Sequence, residues 1–298
     1  LNNLKFYLAA IFAFSIWGTF SLVLKPLHSY ASLDILFYRV FSCAVIMSLI
    51  SLFFKREKMK QNFIYFKSLP AKKQTNLLLL NIGSSILLTA NWFSFIYVMN
   101  HVNVRATSVA YLVCPIITKI LAYFILRDRL TKLQWLSVLL SFSGCVLLSY
   151  SSISDMFYSS IIGFTYACYL VSQTKNSQLD KFLVLNFHMI IAALVLLPFF
   201  PNYSGPIPTE FKFYLFVEMI AVMYTIVPLF LNLYALIGIS SSKVGMILNI
   251  NPIIAFVLAG TVYKEPLNAL QICSYALIFL AVMIFNAKEI FGLKKEEA

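Results

Sequence analysis

Charge is what this sequence has least of. Asp, Glu, Lys and Arg make up 11% of its 298 residues, where a soluble domain carries about 25%. The acidic sign is the scarcer, 11 residues against 23 basic, and no carboxylates stand in the paired arrangement that acid–base hydrolysis needs. No His-Glu-x-x-His zinc motif, Gly-x-Ser-x-Gly elbow or phosphate-binding glycine loop occurs either, so an intramembrane protease, an acyltransferase or an ATP-driven pump has nothing to work with. We expect no enzymatic activity and no cofactor. The five cysteines, Cys43, Cys114, Cys145, Cys168 and Cys273, lack the paired spacings of a metal site or disulfide framework and read as small buried hydrophobes. Residues 4–24 lack the basic n-region and small-residue cleavage site of a signal peptide, so they read as a first membrane span. Leu stands first rather than Met, and further residues are expected ahead of it.

What is abundant is apolar run: 61% of residues are hydrophobic and mean hydropathy is +0.85. Polar breaks divide the chain into ten segments near 4–24, 33–54, 77–99, 103–126, 133–152, 157–175, 181–200, 212–235, 241–263 and 268–288. Each has about 20 residues, enough to cross a bilayer as a helix. The expected fold is therefore an all-α membrane protein with ten transmembrane helices. The cut at "NHVNV", 100–104, sets the parity of everything after it. With the N-terminus inside, the basic loop at 55–73, the loop at 127–132, Lys175, Lys181 and the C-terminal lysines fall on the cytoplasmic side. Only Lys25, Arg105, Lys212 and Lys264 fall outside. That bias obeys the positive-inside rule and places both termini in the cytoplasm. The net charge of +12 is thus mostly topology. Membrane lipid and a small molecule are the expected partners, nucleic acid is not, and the oligomeric state is left open, a monomer among the alternatives.

An internal repeat organises these segments. "PIITKILAYFILRDRLTKLQWLSVLLSFSGCVL" at 115–147 aligns without gaps to "PIIAFVLAGTVYKEPLNALQICSYALIFLAVMI" at 252–284, an offset of 137. Residues 1–152 and 153–290 would each hold five helices, with 291–298 as a cytoplasmic tail. Because five is odd, the two halves enter the membrane in opposite senses. Inverted repeats of this kind underlie alternating access in many secondary transporters.

Polar groups at depth are the candidate site. Arg39, in "DILFYRVFSCAV", either faces a watery cavity or pairs with Asp34. Lys119 lies near the middle of its segment and either contacts substrate or bridges to a neighbouring carbonyl. Pro115 and Pro252 are matching hinge candidates, whereas Lys119 is matched by Phe256 and breaks the symmetry. Trp17, Tyr38, Asn91, Trp92 and Tyr111 would wall a pocket or pack the core. Asn249 and Asn251 would line a site or bond between helices. "SSSK" at 240–243 would cap a helix or offer donors to an anion. Glu218 and His101 are candidates for proton coupling, and His188 is expected to bond between helices.

The stretches "WGTFSLVLK" (17–25), "DILFYRVFS" (34–42), "NWFSFIYVMNH" (91–101), "TSVAYLVCPI" (107–116), "RDRLTKLQWLSV" (127–138) and "KEPL" (264–267) together resemble the EamA/RarD branch of the drug/metabolite transporter superfamily. The resemblance implies a ten-helix inverted-repeat carrier of the bacterial inner membrane, commonly exporting amino acids or related metabolites. Trp17, Lys25, Arg39, Asn91, Trp92, Asn100, His101, Tyr111, Pro115 and Pro252 match recurrent positions of that family. Ser21, Ala110 and Cys114 depart from it. The small multidrug exporters of the superfamily use a glutamate in their first helix, and no acid stands in residues 4–24 here. Cationic drugs are thus disfavoured, and basic residues at depth favour a zwitterionic or anionic metabolite such as an amino acid. The rival expectations are a carrier, inward- or outward-directed, of nucleotide-like or phosphorylated metabolites, and a non-transporting membrane scaffold or sensor.

Overall fold

A computed structural model describes residues 3–101, 104–127, 131–149, 153–176, 178–264 and 269–285, with the side chains at 99–101, 104–108, 149, 153–156 and 259 outside the description. Among the described residues every regular element is helical. In chain order they are α1 (Leu4–Gly18), α2 (Phe20–Leu24), α3 (Ser32–Phe54), α4 (Arg56–Ser68), α5 (Ala71–His101), α6 (Val104–Leu121), α7 (Lys132–Ser149), α8 (Ile153–Thr174), α9 (Lys181–Leu196), α10 (Phe200–Tyr203), α11 (Phe211–Ala221), α12 (Val227–Gly238), α13 (Ser241–Ile247), α14 (Ile250–Thr261) and α15 (Ala269–Phe285).

Helix lies over the described part of every segment expected to span, yet among the described residues length and apolarity qualify six helices to cross a membrane. These are Ser32–Phe54, Ala71–Val98, Val109–Leu126, Lys181–Tyr203, Phe211–Gly238 and Ser241–Leu258, and α1 with α2 makes a seventh if that pair, bent by 40°, is one span. The apolar stretches Lys132–Leu148 and Ala269–Phe285 are short. α8 is long enough but rich in Ser, Thr, Tyr and Gln. The protein is a multi-pass helical membrane protein. The expected turn at 100–104 is the junction of α5 and α6, whose residues 102–103 lie outside the description.

Each break has a local cause. Between α1 and α2 the carbonyl of Ile16 accepts both the backbone N–H of Thr19, at 3.1 Å, and its hydroxyl, at 2.8 Å, which ends the helical ladder. A π-turn at Val222–Ile226 separates α11 from α12, and Pro228 follows in the first turn of α12. α9 starts on Asp180, whose Oδ1 accepts the N–H groups of Phe182 and Leu183 at 3.0 and 3.1 Å, a full N-cap. The 55–73 stretch, expected as a loop, contains α4. Its composition is polar enough to read as loop because the helix buries none of its residues.

The proline positions behave unequally. α6 runs unbroken through Pro115. In the second half the break falls at Leu248–Asn249, ahead of Pro252. Pro252 has no N–H for the Leu248 carbonyl, which accepts instead from Asn251 at 3.0 Å. The repeat nonetheless reaches the backbone. Among the described residues the non-glycine positions with positive φ are Arg127, at 57°, and Lys264, at 54°. They stand at the repeat's own spacing, and Ser137 and Ser274, also equivalent, make the same back-bond, to Leu133 and Leu270 carbonyls at 2.9 and 2.7 Å.

The central core draws residues from most of the long helices, among them Phe14, Met47, Leu88, Cys114, Tyr169, Met189, Leu233 and Ile247. α6 packs chiefly on α8, and α7 on α15 beside them. α1 lies against α12 and α14. Gly18 permits the latter contact, since a Cβ there would stand 2.6 Å from that of Ile254. Cys43, Cys114 and Cys145 are buried as expected, but Cys168 is half-buried and Cys273 faces outward from α15.

Candidate functional site

α3 carries Arg39 about 10 Å in from its first residue. Its guanidinium carbon lies 5.1 Å from the ring centre of Trp92 on α5. Tyr111 of α6 is close enough to interact with it electrostatically. Of the two alternatives for Arg39, the pairing with Asp34 is not made: Asp34 is buried, and its Oδ1 accepts the backbone N–H of Gly205 at 2.9 Å instead. The helical geometry explains this, because five residues put the two side chains on different faces. Nε of Arg39 is sealed from solvent and has no hydrogen-bond partner.

From Tyr111 an aromatic wall runs across the bundle. Its ring meets that of Tyr166 on α8 edge-on at 6.4 Å, and Tyr166 meets Trp17 of α1 at 6.1 Å. Phe95 flanks Tyr111 at 5.7 Å, and Phe14 flanks Trp17 at 5.6 Å. α8 comes this close to α6 because Gly163 has no side chain: a Cβ there would lie 3.1 Å from the Ala110 carbonyl. Asn232 of α12 donates to the Tyr166 hydroxyl at 3.2 Å, leaving its own Oδ1 buried without a partner. Tyr166 and Asn232 escaped sequence reasoning. Their signal was weak, a tyrosine in a serine-rich helix and one amide in an apolar run.

The other candidates divide. Trp17 gives its indole N–H to the Tyr224 carbonyl at 2.7 Å, so it offers the site a ring face. Asn91 is buried and bridges α5 to α8, donating to the Ile162 carbonyl at 2.8 Å and the Thr165 hydroxyl at 3.2 Å. Tyr38 sits apart in a cluster with Phe200, Phe213 and Tyr214. Asn249, at the α13–α14 break, is fully buried with both side-chain polar atoms unpartnered. Asn251 is half-buried, with its carbonyl against Gly18.

Lys119 is buried, with Nζ 4.1 Å from the ring centre of Phe285 on α15. Eight residues of helical rise separate it from Tyr111, about 12 Å. One small carboxylate cannot span from Lys119 to Arg39's neighbourhood. Its repeat counterpart Phe256 also turns to α15, stacking on Tyr275 at 4.1 Å.

Glu218 of α11 is exposed and accepts the hydroxyl of Ser42 from α3. His101 closes α5, and its side chain lies outside the described residues. His188 makes the expected interhelical bonds, donating from Nε2 to Asn81 Oδ1 at 3.2 Å and accepting at Nδ1 from Tyr169 at 3.5 Å. Ser240 makes no side-chain cap on α13, and Lys243 stands over Tyr7 at 5.6 Å. Among the described residues no group of three or more His, Cys, Asp or Glu is placed to hold a metal.

Comparison with known proteins gives this polytopic helical bundle its class. The profile of the EamA-like transporter family matches residues 4–150 and 154–287. The chain is similar to the protein RarD of Escherichia coli K12, 25% identical over 97% of this chain and 96% of that one. It is likewise similar to YojE, an uncharacterized transporter of Bacillus subtilis strain 168, 24% identical over 93% of this chain and 92% of that one. A crystal structure at 12% identity shares the fold, with a TM-score of 0.72 over 96% of this chain and 98% of that one. The chain belongs to the EamA-like transporter family, as a RarD-like member of the drug/metabolite transporter superfamily.

Proposed function

We propose that this transporter exports a small zwitterionic or anionic metabolite, such as an amino acid, across the bacterial cytoplasmic membrane by alternating access. In this reading the ten helical segments form two inverted five-helix repeats, 1–152 and 153–290, with both termini in the cytoplasm. The observation that carries it is Arg39, a cation within the bundle whose Nε lacks a partner and whose guanidinium lies over Trp92. An unpaired charge in the low dielectric of a membrane protein is costly, and a substrate carboxylate would relieve the cost.

Trp92, Tyr111, Tyr166 and the face of Trp17 would wall the substrate's side chain. Asn249 and Asn232 hold amide atoms in want of partners, the kind that bind an ammonium or a polar side chain. Asn91 and Asn251 then support the site from behind, and Tyr38, in its separate cluster, takes no part in it. We assign Lys119 to the path rather than to the same contact, given its distance from Tyr111. Pro115 and the broken α13–α14 pair with Pro252 are the proposed hinges. Glu218, with its serine donor, is the proposed proton-coupling acid; His101 is the second candidate for that role.

The test is counterflow by purified protein in proteoliposomes loaded with amino acids, nucleotides or sugar phosphates. Exchange of an amino acid, uninhibited by phosphate, supports the reading. Exchange confined to phosphorylated compounds moves the substrate class, and no exchange with any ligand points to a scaffold.

A further inference from the structure

α4 presents a surface that the transport reading does not use. None of its residues is buried, and Met59, Phe63 and Ile64 are exposed, Phe63 at 61% and Ile64 at 67%. Met59, Phe63 and Phe66 follow i, i+4, i+7 spacing, one stripe of a helix. Around the stripe stand Lys55, Arg56, Lys58, Lys60, Lys67 and, just beyond, Lys72, against a single acid, Glu57. A helix exposing phenylalanine and isoleucine to water gains nothing from folding there. The same helix lying at a membrane surface covers its apolar stripe and keeps its cations among headgroups.

Its position suits that surface. α4 begins two residues after Phe54, the exposed end of a membrane-length helix, and Arg56 Nε is tied back to the Leu52 carbonyl at 2.6 Å. Midway, Asn62 Oδ1 accepts the backbone N–H of Asp180 at 3.2 Å, fastening α4 to the turn that starts α9. After it, Gln74 of α5 donates to the Leu69 carbonyl at 2.8 Å. The helix is therefore pinned across the ends of α3, α5 and α9, at the level where those spans leave the membrane.

We propose that α4 lies in the plane of the membrane interface and docks on anionic phospholipid headgroups. The charge selects the occupant: a zwitterionic leaflet would take the apolar stripe but give the cations no reward, and each lysine near an anionic surface adds about fivefold to partitioning. A soluble acidic protein would meet the charges but not the stripe, which the adjoining bilayer covers.

The experiment uses the full-length protein in lipid nanodiscs with Phe63→Trp as reporter, the signal of the parent protein being subtracted, and lipids carrying a quencher near the glycerol. In discs containing phosphatidylglycerol the added tryptophan should be blue-shifted and quenched, more weakly in phosphatidylcholine alone. Lys58→Gln/Lys67→Gln/Lys72→Gln should lower the retention of phosphatidylglycerol seen by native mass spectrometry at least fivefold while leaving the fold intact. A water-like, unquenched emission would overturn the proposal. So would equal quenching in the two lipids, or equal lipid retention by the parent and the triple variant.

Discussion

The Trp17 indole N–H donates to the Tyr224 carbonyl at 2.7 Å. In an uninterrupted helix that carbonyl would accept from residue 228, which is proline. One helix thus completes the hydrogen bonding of another, and the π-turn at 222–226 is held open at the site's edge. Trp17→Phe keeps the ring and removes the donor, so it should cost about 1–3 kcal/mol, read as a lowered thermal midpoint in detergent. In a Pro228→Ala background the helix supplies its own N–H, and the same change should cost clearly less.

Asn249 works in the opposite sense. Both its polar atoms are buried and unpartnered, an arrangement that destabilises the empty protein. Asn249→Leu should leave the thermal midpoint unchanged or raised while abolishing counterflow. Loss of stability together with transport would instead mark the amide as a helix–helix bond.

Lys119 and Tyr111 sit about 12 Å apart along one helix. If the lysine serves the path and not the binding contact, Lys119→Met should lower kcat severalfold with KM within about twofold of the parent, measured by initial rates in proteoliposomes.

For Glu218 the separating measurement is drive. Glu218→Gln should lose accumulation driven by an imposed proton gradient and retain counterflow, which needs no net proton movement.

The multi-pass helical character was legible because apolar length is a global property of the chain. The sequence repeat has a local counterpart in the left-handed φ that Arg127 and Lys264 share. What escaped depends on pairs that no local window contains. The Trp17–Tyr224 bond joins positions far apart in sequence, and Asp34 turns to Gly205 rather than to Arg39. α4 was hidden because an interfacial helix has a loop's composition. The break in the second half falls at Asn249 rather than at the proline, since the Leu248 carbonyl freed by Pro252 tightens the turn before it. Of the candidate site, Tyr111 and Trp17 meet at Tyr166 and Arg39 stands over Trp92, while Tyr38 and Lys119 lie elsewhere.

The account rests on Arg39 as the group that meets the substrate carboxylate. Amino-acid counterflow by Arg39→Gln in proteoliposomes is the most direct measurement, with Arg39→Lys beside it and folding checked by thermal midpoint. Loss of one charge-assisted hydrogen bond predicts that Arg39→Gln exchanges about 10- to 100-fold more slowly at low substrate, with partial recovery in Arg39→Lys. Folded Arg39→Gln protein exchanging the same amino acid at the parent rate would contradict it.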